Sequence, residues 1–122
     1  MSKTQLTVVC SAVLVFTLLL QSNICSAAEW FVGDNAGWGY HVAGWEDGKS
    51  FKAGDILVFN YPLGSHTVVQ VNKANYDSCT PSGTTFASGL DFITLKPGFN
   101  YFISGISPDC SNLGMKIAVN AA

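Results

Sequence analysis

Residues 51–72 read FKAGDILVFNYPLGSHTVVQVN, and this stretch predicts two β-strands joined by a short connection. The first run, 55–61, is rich in Ile, Leu, Val, Phe and Tyr, and the second, 66–72, is rich in Val. Segments 52–55 and 62–65 contain the Gly, Asp and Pro residues that are typical of turns. Because apolar residues follow one another directly, both faces of these strands are expected to be buried, as in a sandwich core.

Three further strands are predicted downstream, at residues 92–96, 99–104 and 115–120. The sequence Lys96-Pro97-Gly98 marks a turn between the first two of them. Since the connections are short, we expect neighbouring strands to pair antiparallel. Residues 72–88 carry the weakest pattern, with a short helix at 73–76 and a loop after it. The sequence therefore predicts one small, mostly β domain.

Composition excludes several classes of protein. The chain has 122 residues, of which 48% are hydrophobic and 11% charged, and its net charge is -2. A chain without excess positive charge does not attract nucleic acid by bulk electrostatics, so we expect no nucleic-acid partner. Twelve Gly, four Pro and four Cys indicate turns and short strands rather than a helical bundle or a disordered chain.

Residues 1–28 are predicted to be a signal peptide, and residues 29–122 the mature domain. The apolar stretch 6–20 is shorter than the roughly 20 residues of a bilayer-spanning helix, and small residues Ser26-Ala27-Ala28 follow it. We expect cleavage after Ala28. A membrane anchor is the alternative, and the lack of a basic cluster after the apolar stretch argues against it.

Cleavage leaves Cys79 and Cys110 as the cysteines of the mature chain, because Cys10 and Cys25 depart with the leader. Two thiols in an exported domain are expected to pair. In the chain-entropy account, closing the loop between them stabilises the fold by roughly 3 to 4 kcal/mol.

Six motifs between residues 29 and 120 resemble a known family. They are Trp30-Phe31-Val32-Gly33-Asp34 with Gly37-Trp38, the run at 51–61, His66-Thr67-Val68, Tyr76-Asp77-Ser78-Cys79, ITLKPG followed by YFI, and GMKIAVN at 114–120. In this order they are similar to the phytocyanins of plants, and the ending is most similar to the plantacyanins, or basic blue proteins. The resemblance implies an all-β, cupredoxin-like Greek-key β-sandwich or barrel with one disulfide, from Cys79 to Cys110.

The resemblance also implies a blue copper site, held by two His, one Cys and an axial Met or Gln. The ligand positions fall on His66, Ser104, Asp109 and Met115. His66 and Met115 retain family ligands, whereas Ser104 stands in place of the thiolate and Asp109 in place of the second imidazole. A type 1 site depends on a thiolate, and a Ser hydroxyl does not ionise at neutral pH. We therefore expect no cofactor, with copper as the alternative. We also expect a hydrogen-bonded ion pair of Asp109 with His66, with a solvent-exposed His66 that has no partner as the alternative.

Ser104, His66 and Asp109 are also the residue types of a hydrolase triad. A triad needs the His between the other two, with oxyanion donors and a substrate cleft. The sequence contains no Gly-x-Ser-x-Gly elbow. We therefore expect that the protein is not an enzyme.

The function expected from the sequence is that of a secreted module for interaction or signalling in the apoplast or cell wall. The expected partner is an extracellular protein or a cell-wall polymer, and no membrane anchor is expected in the mature chain. The predicted binding surface is the end of the domain that carries the ligand positions, namely Pro62, Leu63, His66, Ile106, Pro108 and Leu113. The alternative is electron transfer through an altered copper site.

Overall fold

Two β-sheets form the computed structural model, which describes residues 27–122. The first sheet has the order β1-β2-β5, with β1 at Glu29–Phe31, β2 at Ile56–Asn60 and β5 at Leu90–Thr94. The second has the order β4-β3-β6-β7, with β3 at Val68–Val71, β4 at Thr84–Phe86, β6 at Gly98–Ile103 and β7 at Lys116–Ala121. The sheets form an open sandwich, so the sandwich alternative is confirmed and the closed barrel is wrong.

Three short helical segments lie in the connections. A 3-10 turn spans Asp34–Ala36, α1 spans Lys73–Ser78 and α2 spans Asp109–Leu113. Helix α1 begins where the side chain of Asn72 accepts a hydrogen bond from the backbone N–H of Asn75 at 2.8 Å. The short helix predicted at 73–76 is thus confirmed as α1. Helix α2 and strands β1 and β4 were not predicted. Each of these missed elements is only three to five residues long, too short for a clear periodic pattern.

The prediction that strands joined by short connections pair with each other is wrong for two pairs. Strands β2 and β3 lie in different sheets, and so do β5 and β6. Neither connection carries the Asn-Gly or Asp-Gly turn that closes a two-residue hairpin. Both connections instead carry the chain from one sheet to the other, so that each sheet can bury its inner face. Strand β1, which was not predicted, is joined to β2 by a long connection and pairs parallel to it with Glu29 opposite Ile56.

The core between the sheets contains large aromatic residues from both. The rings of Phe59 in β2 and Phe102 in β6 lie 5.2 Å apart between centroids. Trp38 packs edge-on against Phe59 at 5.0 Å, and its indole N–H donates to the backbone oxygen of Thr67 at 2.9 Å. Trp38 is almost completely buried. The core therefore holds the backbone directly after His66 in a fixed position.

The disulfide between Cys79 and Cys110 is present, which confirms the predicted pairing. Cys79 ends helix α1 and Cys110 lies in α2. Around the bond, Val69, Ile103 and Cys110 form a second, smaller buried cluster, against which Val71 and Tyr76 pack. The disulfide thus attaches the segment that carries Asp109 to the second sheet.

The predicted leader, 1–28, lies outside the described residues except for Ala27 and Ala28. Within residues 27–122, none of the helices has the length and apolar character needed to cross a bilayer.

Candidate functional site

Three of the predicted ligand positions meet at one carboxylate. Nδ1 of His66 lies 2.7 Å from Oδ2 of Asp109, and the hydroxyl of Ser104 donates to the same Oδ2 at 2.8 Å. We call His66, Ser104 and Asp109 the carboxylate site. The pairing of Asp109 with His66 is the one expected from the sequence, whereas the shared bond with Ser104 was not foreseen.

Each member of the carboxylate site comes from a different part of the fold. His66 lies in the connection between β2 and β3, Ser104 directly follows β6, and Asp109 is the first residue of α2. Met115 links the last two, because its backbone oxygen accepts from the N–H of Ser104 at 3.1 Å and its N–H donates to the oxygen of Asp109 at 3.0 Å. Two connections at one end of the sandwich, between β2 and β3 and between β6 and β7, therefore assemble the site.

Gly105 allows these connections to approach closely. Its N–H donates to the hydroxyl of Thr67 at 2.8 Å. A Cβ atom at this position would lie 2.9 Å from that hydroxyl oxygen and 3.0 Å from Cγ2 of Val69. A larger residue would push the Ser104 segment away from the His66 segment.

The carboxylate site is shielded from solvent. The side chain of Asp109 is 4% exposed and that of His66 is 11% exposed, and Ser104 is buried. Burying a carboxylate is costly unless hydrogen bonds replace its contacts with water. In residues 27–122 every buried side-chain nitrogen or oxygen has a hydrogen-bond partner. The carboxylate site is thus a satisfied polar network.

The order of the three groups differs from that of a hydrolase triad. Asp109 lies between His66 and Ser104, and the Ser104 hydroxyl donates a hydrogen bond to the carboxylate. A triad requires the imidazole between the hydroxyl and the carboxylate, so that the imidazole takes the hydroxyl proton. Because the Ser104 hydroxyl donates to the carboxylate and not to the imidazole, this geometry does not activate Ser104 as a nucleophile.

Met115, the predicted axial ligand, is completely buried and belongs to the main core cluster. Its backbone contacts both Ser104 and Asp109. The residue therefore packs the core directly beneath the carboxylate site.

An apolar surface surrounds the carboxylate site. Leu63 is 76% exposed and Ile106 is 42% exposed, and Pro62 and Pro108 are also exposed. The contact between His66 and Asp109 brings segments 62–66 and 106–109 together, so these exposed residues lie at one end of the molecule.

Tyr40 belongs to the same surface and was not predicted. Its ring lies 5.3 Å from that of His66 in an edge-on arrangement, and 55% of the residue is exposed. The backbone N–H of His41 donates to the oxygen of Leu113 at 2.6 Å, which fixes this loop to the end of α2. No spacing in the sequence relates Tyr40 to His66, so only the folded chain reveals the contact. We call the set of Tyr40, Pro62, Leu63, His66, Ile106, Pro108 and Leu113 the ligand-end surface.

Tyr61 anchors the connection that carries Pro62 and Leu63. Its phenol donates to Asp91, and its backbone N–H donates to the oxygen of Gly89 at 2.9 Å. Burial, followed by the hydrogen bond to the Asp91 carboxylate, raises the pKa of Tyr61 to about 12.

The raised pKa of Tyr61 predicts a late step in an alkaline titration. An unfolded Tyr ionises near pH 10, so the protonated phenol stabilises the fold fully below that pH. This contribution is lost as the pH rises through about 12. Phenolate absorbance should show the late step in the natural protein and not in Tyr61→Phe. Identical titration curves for the two proteins would contradict the assignment.

Comparison with known proteins agrees with the fold and the motifs. Residues 30–115 match the family model of the plastocyanin-like domain. The chain is 46% identical over 109 residues to a basic blue protein of Arabidopsis thaliana, covering 88% of this chain and 84% of that protein. It is 45% identical over 116 residues to chemocyanin of Lilium longiflorum, covering 93% and 90%.

Solved structures give the same result. Cucumber basic protein, described as a blue copper protein, superposes with a TM-score of 0.74 at 45% identity. The match covers 78% of this chain and all of that one. Spinach plantacyanin superposes with a TM-score of 0.65 at 51% identity, covering 70% and 94%.

These relatives overturn the expectation that no cofactor is involved. The Arabidopsis relative is named a basic blue protein and the cucumber structure a blue copper protein. Copper binding is thus the norm among the relatives, and the expectation of no cofactor is wrong.

The residues present do not fit the type 1 form of that copper. The four ligand positions offer an imidazole, a hydroxyl, a carboxylate and a thioether, whereas a type 1 site needs a thiolate and two imidazoles. Both cysteines of residues 27–122 are held in the disulfide. In the same part of the chain, no three side chains of His, Cys, Asp or Glu are grouped as a metal site would require. Copper at this end would have to be held without a thiolate.

Proposed function

This chain belongs to the plastocyanin-like family of cupredoxins, the phytocyanins, and we propose that it has lost type 1 copper and acts outside the cell as a binding module. It is not proposed to be an enzyme. The observation that carries the proposal is the position of the Asp109 carboxylate, which engages Nδ1 of His66 and the hydroxyl of Ser104 together. The Asp109 carboxylate thus binds two of the side chains at the ligand positions that the resemblance assigns to copper.

The working surface in this proposal is the ligand-end surface. Its three most exposed large apolar residues are Tyr40, Leu63 and Ile106, and they come from three separate connections. Clustered apolar and aromatic residues that remain exposed are typical of protein interfaces. The Asp109 carboxylate is buried and paired with His66, so it does not give the surface an exposed charge. We therefore propose an extracellular protein as the partner.

Export is part of the same proposal. It is supported by the apolar stretch 6–20 with the small residues after it, and by a disulfide that joins Cys79 and Cys110. Both features are expected of a protein of the apoplast or cell wall.

Titration of the purified natural protein with Cu(II) tests the loss of type 1 copper. Because the thiolate is missing, we expect no intense blue absorption at any copper ratio. An electron paramagnetic resonance spectrum of any bound Cu(II) is expected to show nitrogen and oxygen ligands. An intense blue band would overturn the proposal and would establish an electron carrier.

Site-specific photo-crosslinking tests the ligand-end surface. A photoreactive residue at Leu63 should crosslink to one recurring protein in an extracellular wash fluid. The matched control is the same group at Phe99, which is 59% exposed and lies at the opposite end of β6 from Ser104. Ile106→Asp should abolish the crosslink formed from Leu63.

Crosslinks of equal yield from Leu63 and Phe99 would contradict a specific surface. Sedimentation with insoluble cell-wall polysaccharide, reduced by Ile106→Asp, would contradict a protein partner and favour the polymer.

A further inference from the structure

Asp55 is a buried carboxylate outside the carboxylate site. Its Oδ1 accepts from the backbone N–H of Ala28 at 3.1 Å. Its Oδ2 accepts from the indole N–H of Trp30 at 2.9 Å and from the backbone N–H of Lys52 at 3.0 Å. Asp55 is only 6% exposed. In an intact chain all three donors are uncharged groups.

No cation of the described part of the chain is paired with Asp55. The ion pairs of residues 27–122 are His66 with Asp109 and Lys73 with Asp77. A hydrogen bond from a positively charged donor to a carboxylate is roughly twice as strong as one from an uncharged donor. The backbone nitrogen of Ala28 lies at hydrogen-bond distance from Oδ1 of Asp55, and it would carry a positive charge if the chain began at Ala28.

Ala28 is itself a part of the folded domain. It is 3% exposed and belongs to the main core cluster. Its backbone oxygen accepts from the N–H of Ile56 at 2.9 Å, which continues the pairing of β1 with β2 by one residue. Cleavage after Ala28 would remove this contact and would place the new amino group on the exposed residue Glu29.

We propose that the leader is cleaved between Ala27 and Ala28, and that the new amino group of Ala28 forms a buried ion pair with Asp55. Hydrolysis of this peptide bond consumes one water molecule, leaves a carboxylate on Ala27 and releases an amine on Ala28. The amine takes up a proton, since α-amino groups are largely protonated at pH 7. The site moves the boundary predicted from the sequence by one residue.

The sequence is compatible with this site. A signal peptidase reads small residues at the first and third positions before the cut. Cleavage after Ala27 places Ala27 and Cys25 there, whereas cleavage after Ala28 places Ala28 and Ser26 there. Both pairs are small, so the leader alone does not distinguish the two sites and the buried contacts of Ala28 decide between them. The inference rests on the proposed export and not on the role of the ligand-end surface.

Intact-mass spectrometry of the full-length chain secreted from plant cells tests the cleavage site. The expected mass is that of residues 28–122 with the disulfide formed. A mass lower by one alanine residue, or a chain that keeps residues from the leader, would overturn the proposal. A copper or crosslinking result in either direction does not affect this measurement.

Acetylation of the Ala28 amino group tests the ion pair. In the natural protein, removing the charge should lower the folding equilibrium constant at pH 7 by at least about tenfold, as for other buried charged pairs. In Asp55→Asn the same acetylation should change the constant by less than about threefold, because the negative partner is gone. Equal losses in the two proteins would overturn the ion pair. If Asp55→Asn does not fold, the loss in the natural protein is compared with that in Glu29→Gln, which should also show the full tenfold loss.

Discussion

The double variant Ser104→Cys/Asp109→His is expected to bind one Cu(II) per chain and to turn intensely blue. The natural protein is not expected to show this blue absorption. The two substitutions supply the thiolate and the second imidazole that the ligand positions lack, beside His66 and Met115. They also remove the carboxylate that engages Nδ1 of His66 at 2.7 Å. The side chain of His66 then becomes available as a ligand. Visible absorption and copper analysis of the purified protein measure the effect.

The single variants are the controls for this experiment. Ser104→Cys alone keeps Asp109 against His66, and Asp109→His alone provides no thiolate, so neither is expected to give the full blue band. Titration of free thiols must show one thiol in each variant that carries Ser104→Cys, which establishes that the disulfide is intact. A folded double variant that stays colourless with copper bound would show that the register of these ligand positions is wrong.

Removal of the disulfide is expected to produce the largest loss of stability. The double variant Cys79→Ala/Cys110→Ala opens a loop between residues 31 positions apart in the sequence. In the chain-entropy account this costs about 3 to 4 kcal/mol of the free energy of unfolding. Urea unfolding followed by fluorescence measures the loss. The slope of the transition is expected to rise as well, because the unfolded chain without the bond exposes more surface.

A neighbouring substitution provides the control for the disulfide experiment. Ser111 is exposed and directly follows Cys110, so Ser111→Ala should change the free energy of unfolding by no more than about 0.5 kcal/mol. If the double alanine variant were as stable as Ser111→Ala, the bond would contribute nothing to this fold.

The sequence predicts the strands of this protein better than their pairing. The runs at 55–61 and 99–104 have the apolar and β-branched residues of buried strands. The structure places β2 within the first run, and β6 overlaps the second, beginning one residue before it at Gly98. Pairing depends on which face each strand buries against distant residues. The connection at 62–65 contains ordinary turn residues, and nothing in it distinguishes a hairpin from a crossing between two sheets.

The candidate site was predictable where a motif fixes the register. The family pattern places Ser104, Asp109 and Cys110 at known spacings in one segment, and the structure brings His66 to that segment. Tyr40 lies in none of the family motifs, and the motif at 51–61 that contains Asp55 does not relate this residue to Ala28. Their contacts join loops that are remote in sequence, and they follow from packing and hydrogen-bond geometry alone.

The parallel alignment of Glu29 with Ile56 has a consequence for how quickly the native state can form. No two strands of residues 27–122 are joined by a tight hairpin, since the consecutive pairs β3–β4 and β6–β7 are each separated by a helix. Each pair of strands must therefore close a long loop, and lose the chain entropy of that loop, before its contacts can form. Chains dominated by such non-local pairing fold over milliseconds to seconds rather than microseconds. The unfolded polypeptide accordingly spends that interval with its strand edges uncovered, when association with other chains competes with folding.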